Sequence, residues 1–200
     1  MSELATSRVT LAATLWPTHG HAQAWVHGVI LAIAGSLILT LSAKIHIPFW
    51  PVPLTLQTLV VLVIGMAYGP RLGSATLLLY LAEGAIGLPV FSGTPERGIG
   101  LAYLAGPTGG YLVGFVVAAA LVGFLAERGW DRSPITTATA MVAGNLAIYV
   151  CGIAWLGTVI GYERVMSAGV LPFLLGDGIK IALGTALLPA CWKFLGHRSS

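Results

Sequence analysis

The chain has 200 residues, of which 56% are hydrophobic and 8% charged, with a mean hydropathy of +0.88. Soluble domains carry about 25% charged residues, so this composition excludes a soluble fold and describes an integral membrane protein built as one bundle. The net charge of +3 comes with no Lys/Arg run or basic stripe, which excludes nucleic acid as a partner.

Residues 1–24 read as an N-terminal arm, partly mobile or interfacial. Glu3 near the start and the polar break Trp16–His21 argue against a secretory signal. Apolar segments separated by turn residues then predict six spans, at 25–43, 53–68, 72–88, 105–126, 135–159 and 168–194. The expected fold is all-α: one six-helix transmembrane domain over 25–195, followed by a tail at 196–200. With both termini inside, the inner side holds Arg8, Arg71, Arg128, Arg132, Lys193 and Arg198. The outer side holds Lys44, Arg97 and Arg164. Trp16, Trp25, Trp50, Trp130 and Trp192 fall near segment ends, where interfacial anchors belong.

The join between the third and fourth spans, residues 89–111, is not an ordinary linker. It mixes Gly and Pro with Phe91, Tyr103 and Tyr111. Non-helical backbone at membrane depth is tolerated where it is buried or lines a cavity. The segment is therefore expected to be a structured loop capping an outward-facing pocket.

Asp177 and Lys180 interrupt the last apolar run. A charge at the bilayer centre costs roughly 2.5–3.5 kcal/mol, and the i, i+3 spacing sets both on one helix face. They read either as an ion pair or as an acceptor and a cationic donor for a polar ligand. Gln57 and Asn145 add amide groups, and Glu83 adds a second intramembrane carboxylate. Polar groups on several spans, with Phe91, Tyr103 and Tyr111 near the cap, describe a pocket for a compact, partly apolar molecule. Gly28, Ala32 and Ser36 form a small-residue face suited to close approach of another helix, from this chain or from another protein.

Other chemistries lack their signatures. Gly176–Lys180 does not match the phosphate-cradling Gly-rich pattern, so uphill transport needs energy from a partner or an ion. The five His and two Cys show no metal-ligand spacing, and no cofactor is implied. An intramembrane enzyme would need a second poised aspartate, a nucleophile pair or a His-Glu-x-x-His run. A proton-coupled carrier using Glu83 and Asp177 would be expected to show paired repeats with broken helices.

Four stretches together carry a resemblance: residues 52–58, 87–93, 104–112 and 176–180. In them the chain resembles the BioY family, the biotin-specific S components of energy-coupling factor (ECF) transporters, over about residues 27–194. The resemblance implies an ECF S-component-like bundle in a bacterial cell (inner) membrane, with cytoplasmic termini and a biotin pocket under the loop between spans three and four. The implied activity is high-affinity binding and uptake of biotin, without catalysis. Transport would be powered through a membrane coupling protein (the T component) and a pair of ABC-type ATPases. The implied ligand contacts are Asp177, Lys180, Asn145, Gln57, Phe91 and Tyr111, with Glu83 and, from the less closely matching loop 94–103, Arg97. Gly28, Ala32 and Ser36 would form the docking face. An S component for another vitamin keeps the same architecture with a different ligand.

Overall fold

The computed structural model describes residues 10–18 and 20–198, with side chains through Leu195. Residues 1–9 of the expected arm, including Arg8, and the side chains of the 196–200 tail lie outside the described residues. The helices are α1 (Leu11–Leu15), α2 (His21–Lys44), α3 (Gln57–Ala85), α4 (Leu101–Leu104), α5 (Gly109–Ala126), α6 (Pro134–Ile160), α7 (Tyr162–Gly169) and α8 (Leu171–Arg198). Strands β1 (His46–Ile47) and β2 (Leu54–Thr55) form a short antiparallel pair, with His46 opposite Thr55 and Ile47 opposite Leu54. The sequence reading did not anticipate these strands, nor α7 as a helix separate from the last span.

Among the described residues, five helical segments are long and apolar enough to cross a membrane. Their outward faces carry large apolar side chains, such as Val29, Ile33, Leu37 and Leu41 on α2 and Val142, Leu146 and Val150 on α6. A bilayer is the solvent that suits such a surface.

The expected spans at 53–68 and 72–88 form the single element α3, interrupted at Gly69 (φ +81°, ψ 176°) and followed by Pro70. That φ favours glycine, and Pro70 starts the next helical arm without needing an N–H partner. The two arms double back on each other. Gln57 Nε2 donates to the Tyr80 hydroxyl at 2.8 Å, whereas a straight helix would separate these residues by about 34 Å. The sharp reversal leaves no polar loop between the arms.

The core lies along α5, packed between α3 and α6. Close crossing is allowed by missing side chains. A Cβ on Gly65 would lie 2.8 Å from the Ala119 backbone, and one on Gly123 would lie 2.7 Å from the Gly65 carbonyl. At the same end as Gly69, Thr10 caps α1 and Leu11 is buried.

That end is also closed by a polar clasp. Trp192 on α8 donates its indole N–H to Asp131 at 2.6 Å, and the Arg132 guanidinium lies over the Trp192 ring, 4.6 Å from its centroid. Trp192, half-buried at the segment end where an anchor was expected, thus gives its indole N–H to the chain's own carboxylate. Asp131 is fully buried, with Oδ1 unpartnered among the described residues. Burial raises its pKa, opposed by the Trp192 hydrogen bond. A folded-state pKa above the unfolded one makes the ionised form a cost, so this group favours the fold as pH falls through the raised pKa. Asp131→Asn, which keeps an acceptor for Trp192 and removes the charge, is expected to melt at or above the wild-type temperature at pH 7. Asp131→Ala strands the indole N–H and is expected to lose about 1–3 kcal/mol. Thermal unfolding in detergent measures both, and a large loss in the Asn variant would contradict the account.

Candidate functional site

The opposite end of the bundle holds a narrow recess of about 40 Å³, below the roughly 300–1,000 Å³ usual for small-molecule sites, so a ligand of that class has to spread its walls. Its floor is a closed polar network from three helices. Asp177, in the second turn of α8, accepts from the Thr58 hydroxyl of α3 at 3.1 Å and from the Tyr149 hydroxyl of α6. Lys180 donates to Asp177 Oδ1 at 3.0 Å and to Thr58 Oγ1 at 2.8 Å. The Asp177 and Lys180 side chains are only 8% and 13% exposed. The i, i+3 pairing expected from the spacing is thus present, and it is embedded in a wider cluster. Low local dielectric strengthens such a cluster and makes any unpartnered member costly.

A carboxylate has about four lone-pair positions and an ammonium three donors. Asp177 uses three of its positions on Thr58, Lys180 and Tyr149, which leaves one on Oδ2. Lys180 uses two donors within the network and keeps one. The floor therefore presents one acceptor beside one donor.

Apolar and aromatic walls rise from this floor: Tyr111 and Phe115 of α5, Ile148 of α6 and Phe173 of α8. The Tyr111 hydroxyl donates to the Gly169 carbonyl at 2.7 Å, so Tyr111 offers the recess its ring. Phe173 meets Phe49 edge-on, with centroids 6.4 Å apart, at the mouth. Gln57 lines the recess while its amide N–H is tied to Tyr80.

The loop above is heavily anchored. Lys44 donates to the Phe91 carbonyl (3.0 Å), the Thr94 carbonyl (3.3 Å) and the Thr94 hydroxyl (3.0 Å). The Tyr80 hydroxyl donates to the Val90 carbonyl at 3.0 Å, and that of Tyr103 to the Ser92 carbonyl at 2.7 Å. Burial raises the Tyr103 pKa, opposed by the Thr108 side chain within hydrogen-bonding reach, so its hydroxyl remains a donor at neutral pH.

Of the residues selected from sequence, Asp177, Lys180, Gln57 and Tyr111 line the recess, and four others do not. Phe91 is 1% exposed. It stacks on Tyr103 (4.9 Å), meets Tyr80 edge-on (5.3 Å) and packs against Gly84. Its ring fills the base of the loop, and the next residue, Ser92, lines the recess instead. Glu83 accepts from the Ser36 hydroxyl at the α2–α3 contact. Arg97 donates to the Phe49 carbonyl at 3.0 Å, clasping the loop to the β1–β2 segment from an exposed position. Asn145 lies one helical turn before Tyr149, buried, with Oδ1 unpartnered among the described residues. Sequence reasoning missed Thr58, Tyr149, Phe173 and Ser92. Thr58 adjoins the chosen Gln57, and Tyr149 is i+4 from the chosen Asn145, on the same helix face.

A family model described as the BioY family matches residues 9–197. This chain belongs to the BioY family. It is 36% identical over 183 residues to the biotin transporter BioY of Rhizobium etli, an alignment covering 81% of this chain and 96% of that one. It is 37% identical over 143 residues to the probable biotin transporter BioY of Pyrococcus horikoshii, covering 72% and 82%. The fold is similar to that in a 2.1 Å crystal structure of the S-component for biotin from an ECF-type ABC transporter. The TM-score there is 0.71 at 24% identity, over 88% of this chain and 95% of that one. BioY membership together with several membrane-length apolar helices makes this a multi-pass membrane protein.

Proposed function

We propose that this chain is the biotin-binding S component of an ECF-type transporter, holding biotin in the recess under the 86–100 loop and passing it on unaltered. The observation that carries the reading is the buried Asp177–Lys180–Thr58–Tyr149 floor, in a chain whose BioY relatives are named biotin transporters. One free acceptor beside one free donor complements the adjacent N–H and C=O of a ureido ring. In this reading the ring rests against Asp177 and Lys180, and its aliphatic chain against the Tyr111–Phe173 walls. Asn145 Oδ1, one turn away, would take the second ureido N–H after a side-chain adjustment.

In this reading the two arms of α3 each cross the bilayer, which gives six crossings with both termini cytoplasmic. A membrane coupling protein and two ABC-type ATPases supply the energy. Gly28 and Ala32 fit the docking role, because they line an open groove between α2 and the second arm of α3 with Leu72 and Ala75. Ser36 does not: it is 1% exposed and donates to Glu83 within the chain. Ala32→Leu is therefore expected to leave biotin affinity and melting temperature within error while reducing co-purification of the coupling protein. Ser36→Leu is expected to lower the melting temperature. Intact assembly of the Ala32→Leu variant would remove the groove from the docking surface.

Calorimetric titration of the detergent-purified protein with biotin tests the main reading, with thiamine and riboflavin as controls. One tight site for biotin alone is expected. Binding of a control vitamin instead would redirect the ligand assignment, and an enzyme would release an altered product.

A further inference from the structure

A second and larger cavity lies at the end of the bundle that carries Gly69, away from the recess. Its apolar part, about 410 Å³, sits between α1, α2, the first arm of α3 and α8, against Leu11, Leu31, Val63 and Leu188. A more polar part of about 200 Å³ extends toward Thr10, Thr18 and Gly28. Ala12, Trp16, His27, Leu31 and Tyr68 line both parts, which makes them one groove with an apolar and a polar end.

His27 is the anomaly in this groove. It is 8% exposed, and its Nε2 has no hydrogen-bond partner among the described residues. The Trp16 ring covers it, with centroids 4.0 Å apart. Buried polar groups nearly always have partners, and the interior of a bilayer holds no water to supply one. An imidazole nitrogen donates in one tautomer and accepts in the other, so an oxygen-bearing group entering the groove satisfies it.

The groove also indicates what enters. Leu15 and Leu187 line its apolar part and are exposed, so it opens sideways onto the bilayer. Trp side chains favour the headgroup level, and Trp16 on His27 sets Nε2 at that boundary, where the glyceryl esters of phospholipids lie. Among the described residues no Lys or Arg lines either part. A phosphate or a free carboxylate would call for such a cation, whereas a neutral ester carbonyl needs a single N–H.

We infer that this groove is a lipid site. One acyl chain of a glycerophospholipid lies along Leu31, Val63 and Leu188, and its ester carbonyl accepts a hydrogen bond from His27 Nε2 beneath Trp16. The site goes beyond the biotin reading and stands without it. Its polar end shares Ala24, Gly28 and Leu72 with the open groove between α2 and the second arm of α3. The lipid therefore borders the face proposed above for docking.

Native mass spectrometry of the protein purified in mild detergent counts the phospholipids retained per chain. Thermal unfolding of delipidated protein with dioleoylphosphatidylglycerol, with oleate or with detergent alone identifies their kind. One retained phospholipid per wild-type chain is expected, and a higher melting temperature with the phospholipid but not with oleate. Ala67→Phe places a ring in the apolar part and is expected to retain none. His27→Leu keeps the surface apolar and is expected to weaken phospholipid binding by about tenfold. Gel filtration of both variants as single symmetric peaks is expected, as for folded protein. Retention unchanged in His27→Leu, stabilisation by oleate in place of the phospholipid, or a wild-type chain that retains no lipid and gains no stability from it would each overturn the inference.

Discussion

Asp177→Asn is expected to weaken biotin binding by about a hundredfold, roughly 2.8 kcal/mol. The carboxylate accepts three hydrogen bonds in the floor and is the counter-ion of Lys180. An amide offers a single acceptor oxygen and two N–H donors. One of the three donors around it, from Thr58, Tyr149 or Lys180, must then face an N–H, and the acceptor position left for a ureido N–H is lost. The Lys180 ammonium, 13% exposed, is stranded without its counter-charge. Breaking a buried pair from one side costs about 3–5 kcal/mol, because the surviving charge stays buried. Part of that cost appears as lowered stability and part as lost affinity, so calorimetry has to be read beside a melting curve. A variant that folds and binds biotin with wild-type affinity would take Asp177 out of the binding site and leave the network as a purely structural tie.

The floor was half legible in the sequence. Two charges inside an apolar run at i, i+3 are rare enough to announce themselves, and they do meet in the fold. Thr58 and Tyr149 were not legible, because a Thr and a Tyr in membrane helices have many uses. Thr58 reaches Asp177 across 119 residues of sequence, and only tertiary structure makes that contact. Phe91 and Ser92 show the opposite error. In a Gly/Pro-rich loop an aromatic ring reads as a pocket wall, but the same apolar area can anchor the loop to the bundle, which the stacking on Tyr103 and the packing on Gly84 accomplish. The small hydroxyl beside it then takes the cavity position. Ser36 was misplaced for a related reason. Small-residue spacing predicts that some helix approaches closely, and at Ser36 the approaching helix is the chain's own α3. The turn at Gly69-Pro70 was read correctly as a break, yet sequence could not say that the arms on either side reverse so tightly that Gln57 reaches Tyr80.

Gly84→Ala is expected to loosen the loop and to accelerate biotin release by about tenfold. Gly84 sits on α3 one turn after Tyr80, and a Cβ there would overlap the Phe91 ring. Its backbone is ordinary helix, so the effect is steric and not a matter of φ. The ring cannot yield easily, being 1% exposed between Tyr80 and Tyr103. Forcing an extra methyl into such packing costs about 1–3 kcal/mol. The displacement falls on the backbone that Lys44, Tyr80 and Tyr103 hold at residues 90–94, and so on the position of Ser92. Interface changes act mostly on dissociation, so the release rate measured by competition with unlabelled biotin is the direct readout. A second substitution separates this mechanism from general damage. Phe91→Leu in the Gly84→Ala background shortens the obstructing side chain. If the clash is the cause, the pair should be less destabilised than the two single losses add up to, as expected for residues in direct contact. Strict additivity, or a Gly84→Ala protein with wild-type melting and release, would show that the Phe91 anchor does not set the position of the loop.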